Sequence, residues 1–218
     1  MDRTRVFLVE DNPTLLRNLV RVLSAFPELE LVGQEMDGER AVDAVIAASP
    51  QLVLLDLELP GLDGIQVTAR VKRKAPGTEV LILTSFEDEQ KVYEAIQAGA
   101  SGYLVKRMGP EKIRAAIQEV MQGGTVLEPV IARRFWNYFQ SLQGKPAAQP
   151  RDPWGLTDVE FEVLRYVAKG LSNAEVGQVM TLERRSVRTH LGHLYRKMGV
   201  NSHVEAVVLA LRAGLVEL

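Results

Sequence analysis

Residues 52–64 read Leu52-Val53-Leu54-Leu55-Asp56-Leu57-Glu58-Leu59-Pro60-Gly61-Leu62-Asp63-Gly64. Four consecutive apolar residues that end on a carboxylate and run into proline and glycine predict a short strand that stops in a loop. The run is the most apolar of its kind in the chain, so it belongs at the centre of a parallel sheet whose two faces are covered by helices. The same alternation continues on either side, with strands expected at Val6–Val9, Leu31–Gln34, Leu52–Asp56, Val80–Thr84 and Gly102–Val105. Between the first two, Leu15, Leu16, Leu19, Val20 and Leu23 recur at helical spacing, and Asn12-Pro13 supplies an N-cap and a proline at the first helical position. Residues 1–122 therefore read as five βα units, an α/β domain with a doubly wound five-stranded parallel sheet.

Composition narrows what such a chain can do. Of its 218 residues 46% are hydrophobic, enough for well-filled cores. There is no cysteine, which excludes disulfides, thiolate metal sites and a cysteine nucleophile, and fits a reducing compartment. Apolar runs are short and interrupted by charge, and Met1–Arg5 is polar with no signal-peptide core behind it. A soluble, cytoplasmic protein without membrane association is expected. The net charge of −2 hides an asymmetry, because residues 1–122 hold 14 Lys+Arg against 19 Asp+Glu and residues 154–218 hold 8 against 7. Between Glu183 and Met198 five basic residues (Arg184, Arg185, Arg188, Arg196, Lys197) face one acid, Glu183. That is a basic helix rather than a basic domain.

After Gly123-Gly124 the period breaks, and residues 123–153 read as a linker. Within it a helix is expected over 130–142, carrying Phe135, Trp136, Tyr138 and Phe139; packing those rings on a domain is favoured over a ligand site. Gly144 to Pro153, with Pro146, Pro150 and Pro153, reads as an extended spacer. Residues 154–218 are helical throughout. Thr157/Glu160, Ser172/Glu175 and Ser202/Glu205 each have capping-box spacing, and Gly170 and Gly199 punctuate helix ends, so a small bundle of four helices is expected.

In an open parallel sheet, functional groups collect at the carboxyl ends of the strands. Here Glu10 and Asp11 follow the first strand, Asp56 closes the third, Thr84 closes the fourth and Lys106 follows the fifth. Any one of these alone is an ordinary loop residue; their joint placement is not. Three neighbouring carboxylates call for a hard, oxygen-preferring cation such as Mg²⁺, and such a site handles phosphate. Asp56 is the candidate nucleophile, forming an aspartyl phosphate while cation and ammonium neutralise the transferring group.

With Glu10-Asp11, the run Asp56–Gly64, Thr84-Ser85 and Gly102-Tyr103-Leu104-Val105-Lys106, residues 4–122 resemble the receiver domains of two-component response regulators, which have a flavodoxin-like fold. The resemblance implies Mg²⁺ held by Asp11, Asp56 and the backbone carbonyl of Glu58 with support from Glu10. It further implies a Thr84 hydroxyl that bonds the phosphoryl group, Lys106 paired with it, and a Tyr103 that changes rotamer. By the same resemblance, Glu58 and Phe86 fall at positions similar to those that tune phosphate lifetime in the family. Arg107 stands where many receivers have proline.

Leu156-Thr157-x-x-Glu160-x-Glu162-Val163-Leu164, Gly170-Leu171-Ser172-Asn173-x-Glu175-Val176, Ser186–Leu191 and Lys197-Met198-Gly199-Val200 resemble the helix-turn-helix output domain of the NarL/FixJ and LuxR class. On the helix Arg184–Met198 the stripe Val187, Leu191, Leu194 and Met198 must be buried, while Arg185, Thr189 and Arg196, flanked by Arg188, Gly192 and His193, form the face for a major groove. By resemblance Arg188, Thr189 and Gly192 face bases; Arg185 and Arg196 are phosphate candidates, and Arg184, His193 and Lys197 complete the DNA set. Glu183 replaces the serine that usually caps this helix, and Gly192 lies mid-helix at a cost of about 1 kcal/mol relative to alanine. His190 and His193 lack the further ligands of a metal site. Val204, Val207, Val208 and Leu211 form an i, i+3, i+4, i+7 stripe on the last helix, mostly core; the resemblance implies that part of this helix pairs two copies on DNA.

The sequence thus predicts a transcription regulator rather than an enzyme, phosphorylated at Asp56 by a partner histidine kinase and binding double-stranded DNA as a homodimer. Its receiver would catalyse only its own phosphorylation and dephosphorylation. An alternative is an atypical regulator whose receiver pairs or binds partners without phosphate control. An aspartate-based phosphatase is disfavoured, since Glu58 stands where that chemistry generally wants a second aspartate.

Overall fold

The computed structural model describes residues 3–85, 88–127, 131, 132, 135 and 152–216. The first half alternates strand and helix: β1 (Thr4–Val9), α1 (Pro13–Ser24), β2 (Leu29–Glu35), α2 (Gly38–Ala48), β3 (Leu52–Leu55), α3 (Gly64–Lys74), β4 (Glu79–Thr84), α4 (Glu89–Gln97), β5 (Gly102–Val105), α5 (Pro110–Met121) and β6 (Val126–Leu127). All neighbours pair in parallel, in the order β2-β1-β3-β4-β5-β6. The five expected strands are present, with β1, β2 and β4 starting one or two residues earlier than their apolar runs. The sheet count is corrected to six, because Val126 and Leu127 pair with Gly102 and Tyr103. Two residues are too few to show a period.

β3 is central, and all four of its residues are buried, at 0–1% exposure. Their side chains alternate between two cores, Leu52 and Leu54 packing toward α1 and α5, Val53 and Leu55 toward α2 and α3. Burying a side chain of this size is worth about 1.5–3 kcal/mol, so this strand anchors the sheet from both sides.

Helix starts follow local chemistry. The Asn12 carboxamide accepts from Thr14 and Leu15 N–H with Pro13 at the first turn; Asp37 caps α2, Asp63 caps α3 in a reciprocal box with Gln66, and Asp88 caps α4. The loop between β3 and α3 folds tightly. Gly61 has φ +78°, a conformation that favours glycine, and a Cβ on Gly64 would lie 2.2 Å from the Asp56 carbonyl oxygen and 2.8 Å from Leu57 Cα.

A helical C-terminal domain follows, with α6 (Asp158–Ala168), α7 (Asn173–Met180), α8 (Arg184–Met198) and α9 (His203–Arg212) among the described residues. Thr157/Glu160 and Ser172/Glu175 form full capping boxes. Ser202 caps α9, but the Glu205 carboxylate accepts from Asn201 N–H rather than from the Ser202 N–H, so the third box is open on one side. Gly199 closes α8 in the left-handed conformation, φ +69°. Of the helix expected over 130–142, residues 131, 132 and 135 are helical. Trp136, Tyr138, Phe139 and residues 144–151 lie outside the described residues, as does Phe86.

Replacing Gly64 with alanine should destabilise the chain by about 1–3 kcal/mol, the usual cost of an overpacked contact. Urea unfolding would read this directly, and an unchanged midpoint would contradict the close approach of α3 to Asp56.

Candidate functional site

The register that builds the sheet also builds the site. Val9 lies opposite Leu55, and the Asp56 N–H donates to the Val9 carbonyl at 3.0 Å, so β1 and β3 end level with each other. Glu10, Asp11 and Asp56 consequently emerge together, each offering a carboxylate oxygen within 4.8 Å of the others. On the other side Thr84 pairs with Val105, and the Lys106 N–H donates to the Thr84 carbonyl at 2.9 Å, which brings Lys106 to the same edge.

Burial then sets the charges. Glu10 and Asp56 are 1% and 3% exposed, whereas Asp11 is exposed. The Lys106 ammonium lies 2.7 Å from Asp56 Oδ2 and 2.8 Å from Glu10 Oε2. Asp56 Oδ1 accepts from the Leu57 N–H at 2.7 Å, and Glu10 Oε1 from the Asn12 N–H at 3.2 Å. Burial, with the Asp56 charge beside it, raises the Glu10 carboxyl above its ordinary value against the pull of Lys106. Burial by itself would lower the Lys106 ammonium, but its bonds to Asp56 and Glu10 outweigh it and the net shift is upward.

Lys106 bonds two of the three acids, Glu10 and Asp56, and these two have almost no access to water. An all-oxygen, carboxylate-rich set of this kind fits a hard divalent cation. The Thr84 side chain, at 0% exposure, lies at the end of β4; Tyr103, also 0% exposed, packs inward with the core on the α2, α3 and α4 side. The Glu58 side chain is exposed two residues beyond Asp56.

The second set of expected residues lies on α8. Val187, Leu191, Leu194 and Met198 are all buried, which turns Arg184, Arg185, Arg188, Thr189, Gly192, His193 and Arg196 outward. Glu183 occupies the N-cap and makes no side-chain capping bond. The Thr189 hydroxyl donates to the Arg185 carbonyl at 3.1 Å, and Arg196 Nε to the Gly192 carbonyl at 3.3 Å. Lys197, also exposed, makes a bond within the domain: its ammonium bonds Glu160 Oε2 at 2.7 Å and the Gly155 carbonyl at 2.9 Å, which ties α8 to α6. Its side chain is a brace of the helical domain.

Part of this face is turned toward the sheet domain. The Arg184 guanidinium donates to the Met121 carbonyl at 2.8 Å, and a cleft of about 430 Å³ separates the domains, with Arg188, Gly192, Tyr195 and Arg196 on one wall and Lys72, Glu79 and Ser101 on the other. Sequence reasoning missed that second wall. Lys72 is 2% exposed and bonds Glu79 at 3.3 Å, and the Ser101 hydroxyl donates to the same carboxylate oxygen. The four residues of the α9 stripe also divide: Val207 packs inside the helical domain, Val204 and Val208 cluster with Tyr93 of α4 and Phe135, and Leu211 packs against both. The core on α9 is carried by Ala206 and Ala210 instead.

Comparison with known proteins gives this geometry a context. Residues 6–118 match the response regulator receiver domain, and residues 155–210 match the bacterial regulatory proteins of the luxR family. The chain is 32% identical over 212 residues to the transcriptional regulatory protein LiaR of Bacillus subtilis, covering 97% of this chain and 99% of that one. It is 30% identical to the nitrate/nitrite response regulator protein NarL of Escherichia coli strain K12, with 93% of each chain covered. Among solved structures, the response regulator ChrA of a heme-sensing two-component system superposes with a TM-score of 0.53 at 29% identity, over 99% of this chain and 100% of that one. No described helix is long and apolar enough to cross a membrane.

His203 lies in the cleft, where burial pushes its imidazole down to about 4 against the attraction of Glu79. A depressed histidine stabilises the folded chain fully above its unfolded value near 6.5, and that contribution is lost as pH falls from about 6.5 toward about 4. His203→Gln should therefore flatten the fall in urea midpoint between neutral pH and about pH 5; parallel curves for parent and variant would contradict the assignment.

Proposed function

The chain belongs to the two-component response regulators with a LuxR-type output domain, and on that premise we propose that it is a transcription factor switched by a phosphoryl group on Asp56. The observation that carries this reading is the 2.7 Å contact between Lys106 and Asp56 beside two further carboxylates at one sheet edge. Residues 1–122 act as receiver, 123–153 as linker and 154–218 as DNA-binding domain, in keeping with the two matched segments. Because the second segment binds duplex DNA in the cytoplasm, the chain acts as a regulator, and its own chemistry is confined to gaining and losing one phosphoryl group.

The donor is the phosphohistidine of a partner kinase. An Asp56 carboxylate oxygen attacks phosphorus, the P–O bond forms as the P–N bond breaks, and the imidazole leaves with its electron pair and takes up a proton. Asp11, Asp56 and the Glu58 carbonyl, with Glu10 behind them, would hold Mg²⁺, which supplies neutralising charge to the phosphoryl oxygens when bound. Lys106, already at the Asp56 carboxylate, follows the added charge, and the Thr84 hydroxyl donates to a phosphoryl oxygen. Tyr103 and α4 then adjust, and the domains separate. What drives this is the difference in phosphate affinity between two receiver states, so the response is a population shift.

On DNA, α8 enters the major groove with Arg188, Thr189 and Gly192 toward the bases and Arg184, Arg185, His193 and Arg196 along the backbone. Lys197, exposed while bonded to Glu160, completes the DNA set. Two copies pair through α9 on paired half-sites.

Asp56→Asn should abolish uptake of label from acetyl [³²P]phosphate with Mg²⁺; uptake equal to the parent's would remove Asp56 as the acceptor. Arg188→Ala should weaken binding of beryllofluoride-treated protein to a selected duplex by about tenfold, the scale of one lost base or phosphate contact. Equal affinity at two salt concentrations would take Arg188 out of the interface.

A further inference from the structure

The cleft between the two domains holds more recognition chemistry than docking requires. Its volume of about 430 Å³ falls in the range of small-ligand sites. Of its charged lining residues, Lys72 and Glu79 pair with each other, which leaves the guanidiniums of Arg188 and Arg196 as surplus positive charge. These two stand one helical turn on either side of Gly192, on one face of α8. A Cβ at Gly192 would meet no atom within 4 Å, so the missing side chain leaves a notch between two cations. Arg196 folds toward it, its Nε donating to the Gly192 carbonyl at 3.3 Å. Beside the notch the wall is apolar, with Leu191, Val200 and the Tyr195 ring. Asn173, at the start of α7, completes the set. It lines the cleft at 5% exposure, with its amide nitrogen set against Gly123, where a Cβ would come within 1.9 Å of it. Its Oδ1 is buried and has no hydrogen-bond partner among the described residues. A buried acceptor is costly to leave in that state, so the position calls for a donor from outside the chain.

We propose that this cleft is a binding site for a nucleoside monophosphate, with the phosphate in the Gly192 notch between Arg188 and Arg196, the base against Tyr195, and a nucleoside N–H or O–H donating to Asn173 Oδ1. Three demands select that class. Guanidinium forks match phosphate oxygens, the apolar wall asks for a flat ring, and the unmet acceptor asks for a donor. Inorganic phosphate lacks the ring, and a plain aromatic carboxylate lacks the donor. Glu79 and Ser101 belong to the receiver wall and Arg188 and Asn173 to the helical domain, so the site exists only where both meet. The mid-helix glycine of α8 thereby gains a use: it is the opening that admits the phosphate. The site does not depend on phosphoryl chemistry at Asp56. What it shares with the proposed function is Arg188, and its effect on DNA rests on that reading of α8. One arginine cannot hold a mononucleotide in the cleft and a base edge in a duplex, so nucleotide and duplex each lower the affinity for the other by the same factor.

Equilibrium dialysis of the untreated full chain against tritiated AMP, GMP, CMP and UMP tests the site, with inorganic phosphate and benzoate as competitors. At least one nucleotide should bind at one equivalent per chain, and Arg188→Ala should weaken it by about tenfold or more, the scale of one charge-assisted bond. Gly77→Phe should weaken it as much from the receiver side. Gly77 is exposed and a Cβ there would meet nothing within 4 Å, so the ring can enter the cleft without disturbing the fold. Because Gly77 is remote in sequence from α8, the beryllofluoride-treated Gly77→Phe chain should bind a selected duplex as the parent does. In the parent, that duplex should release the bound nucleotide. Failure of all four nucleotides to bind, competition by phosphate or benzoate as effective as by the nucleotide itself, or binding that either variant retains overturns the proposal. Nucleotide that binds as expected, is lost in both variants and yet stays bound with the duplex gives a different result: the cleft site stands, and Arg188 is removed from the DNA interface.

Discussion

Everything in this molecule is arranged around the energetic problem of two nearly inaccessible carboxylates, Glu10 and Asp56, held beside a third at the edge of a sheet. Taken out of water without a counterion, such a group costs several kcal/mol, and like charges at this distance add to the cost. The chain meets the problem with one ammonium, Lys106, which bonds both buried acids. Three carboxylates gathered here, two of them buried on Lys106, make the edge receptive to a cation and to whatever change of charge occurs on Asp56. The same pairing explains why Lys106 is drawn above its ordinary value despite burial.

The sheet enforces this crowding. β3 is buried on both faces, its register sets Asp56 level with Glu10, and the Gly64 backbone presses against the Asp56 carbonyl with no space for a side chain. At the opposite side of the sheet domain a second polar knot, Lys72 with Glu79 and Ser101, faces the recognition helix across the cleft. The two ends of the sheet thus carry distinct electrostatic tasks, phosphate chemistry at the carboxyl ends of the strands and domain docking at the amino ends. α4, which runs back from the first end toward the second, carries Tyr93 onto α9.

Much of this was legible in the amino-acid order. Glu10, Asp11, Asp56, Thr84 and Lys106 could be placed because each stands where an apolar strand run ends, and strand ends in a parallel sheet converge. The buried stripe of α8 was legible for the same reason, since burial follows period. β6 was not, because Val126-Leu127 is shorter than any repeat and its pairing with β5 is set by the turn at Gly123-Gly124. Lys197 belongs to the basic run, and the run alone did not show that its ammonium also bonds Glu160. The α9 stripe shows the limit most clearly: i, i+4, i+7 says that a face is covered and cannot say by what, since a neighbour in the bundle, another domain and a second copy impose the same period. Tyr93 carries no signal of its own in the sequence beyond a helical position on α4.

The central claim is that charge added at Asp56 moves a helix that does not touch it. Pulsed electron spin resonance between nitroxides at Lys112→Cys on α5 and Val159→Cys on α6, both exposed positions on a chain without other thiols, measures that movement directly. One narrow distance distribution is predicted for the untreated chain, and a longer, broader one with beryllofluoride and Mg²⁺, accompanied by a gain in DNA affinity. An unchanged distribution alongside that gain in affinity would contradict the account.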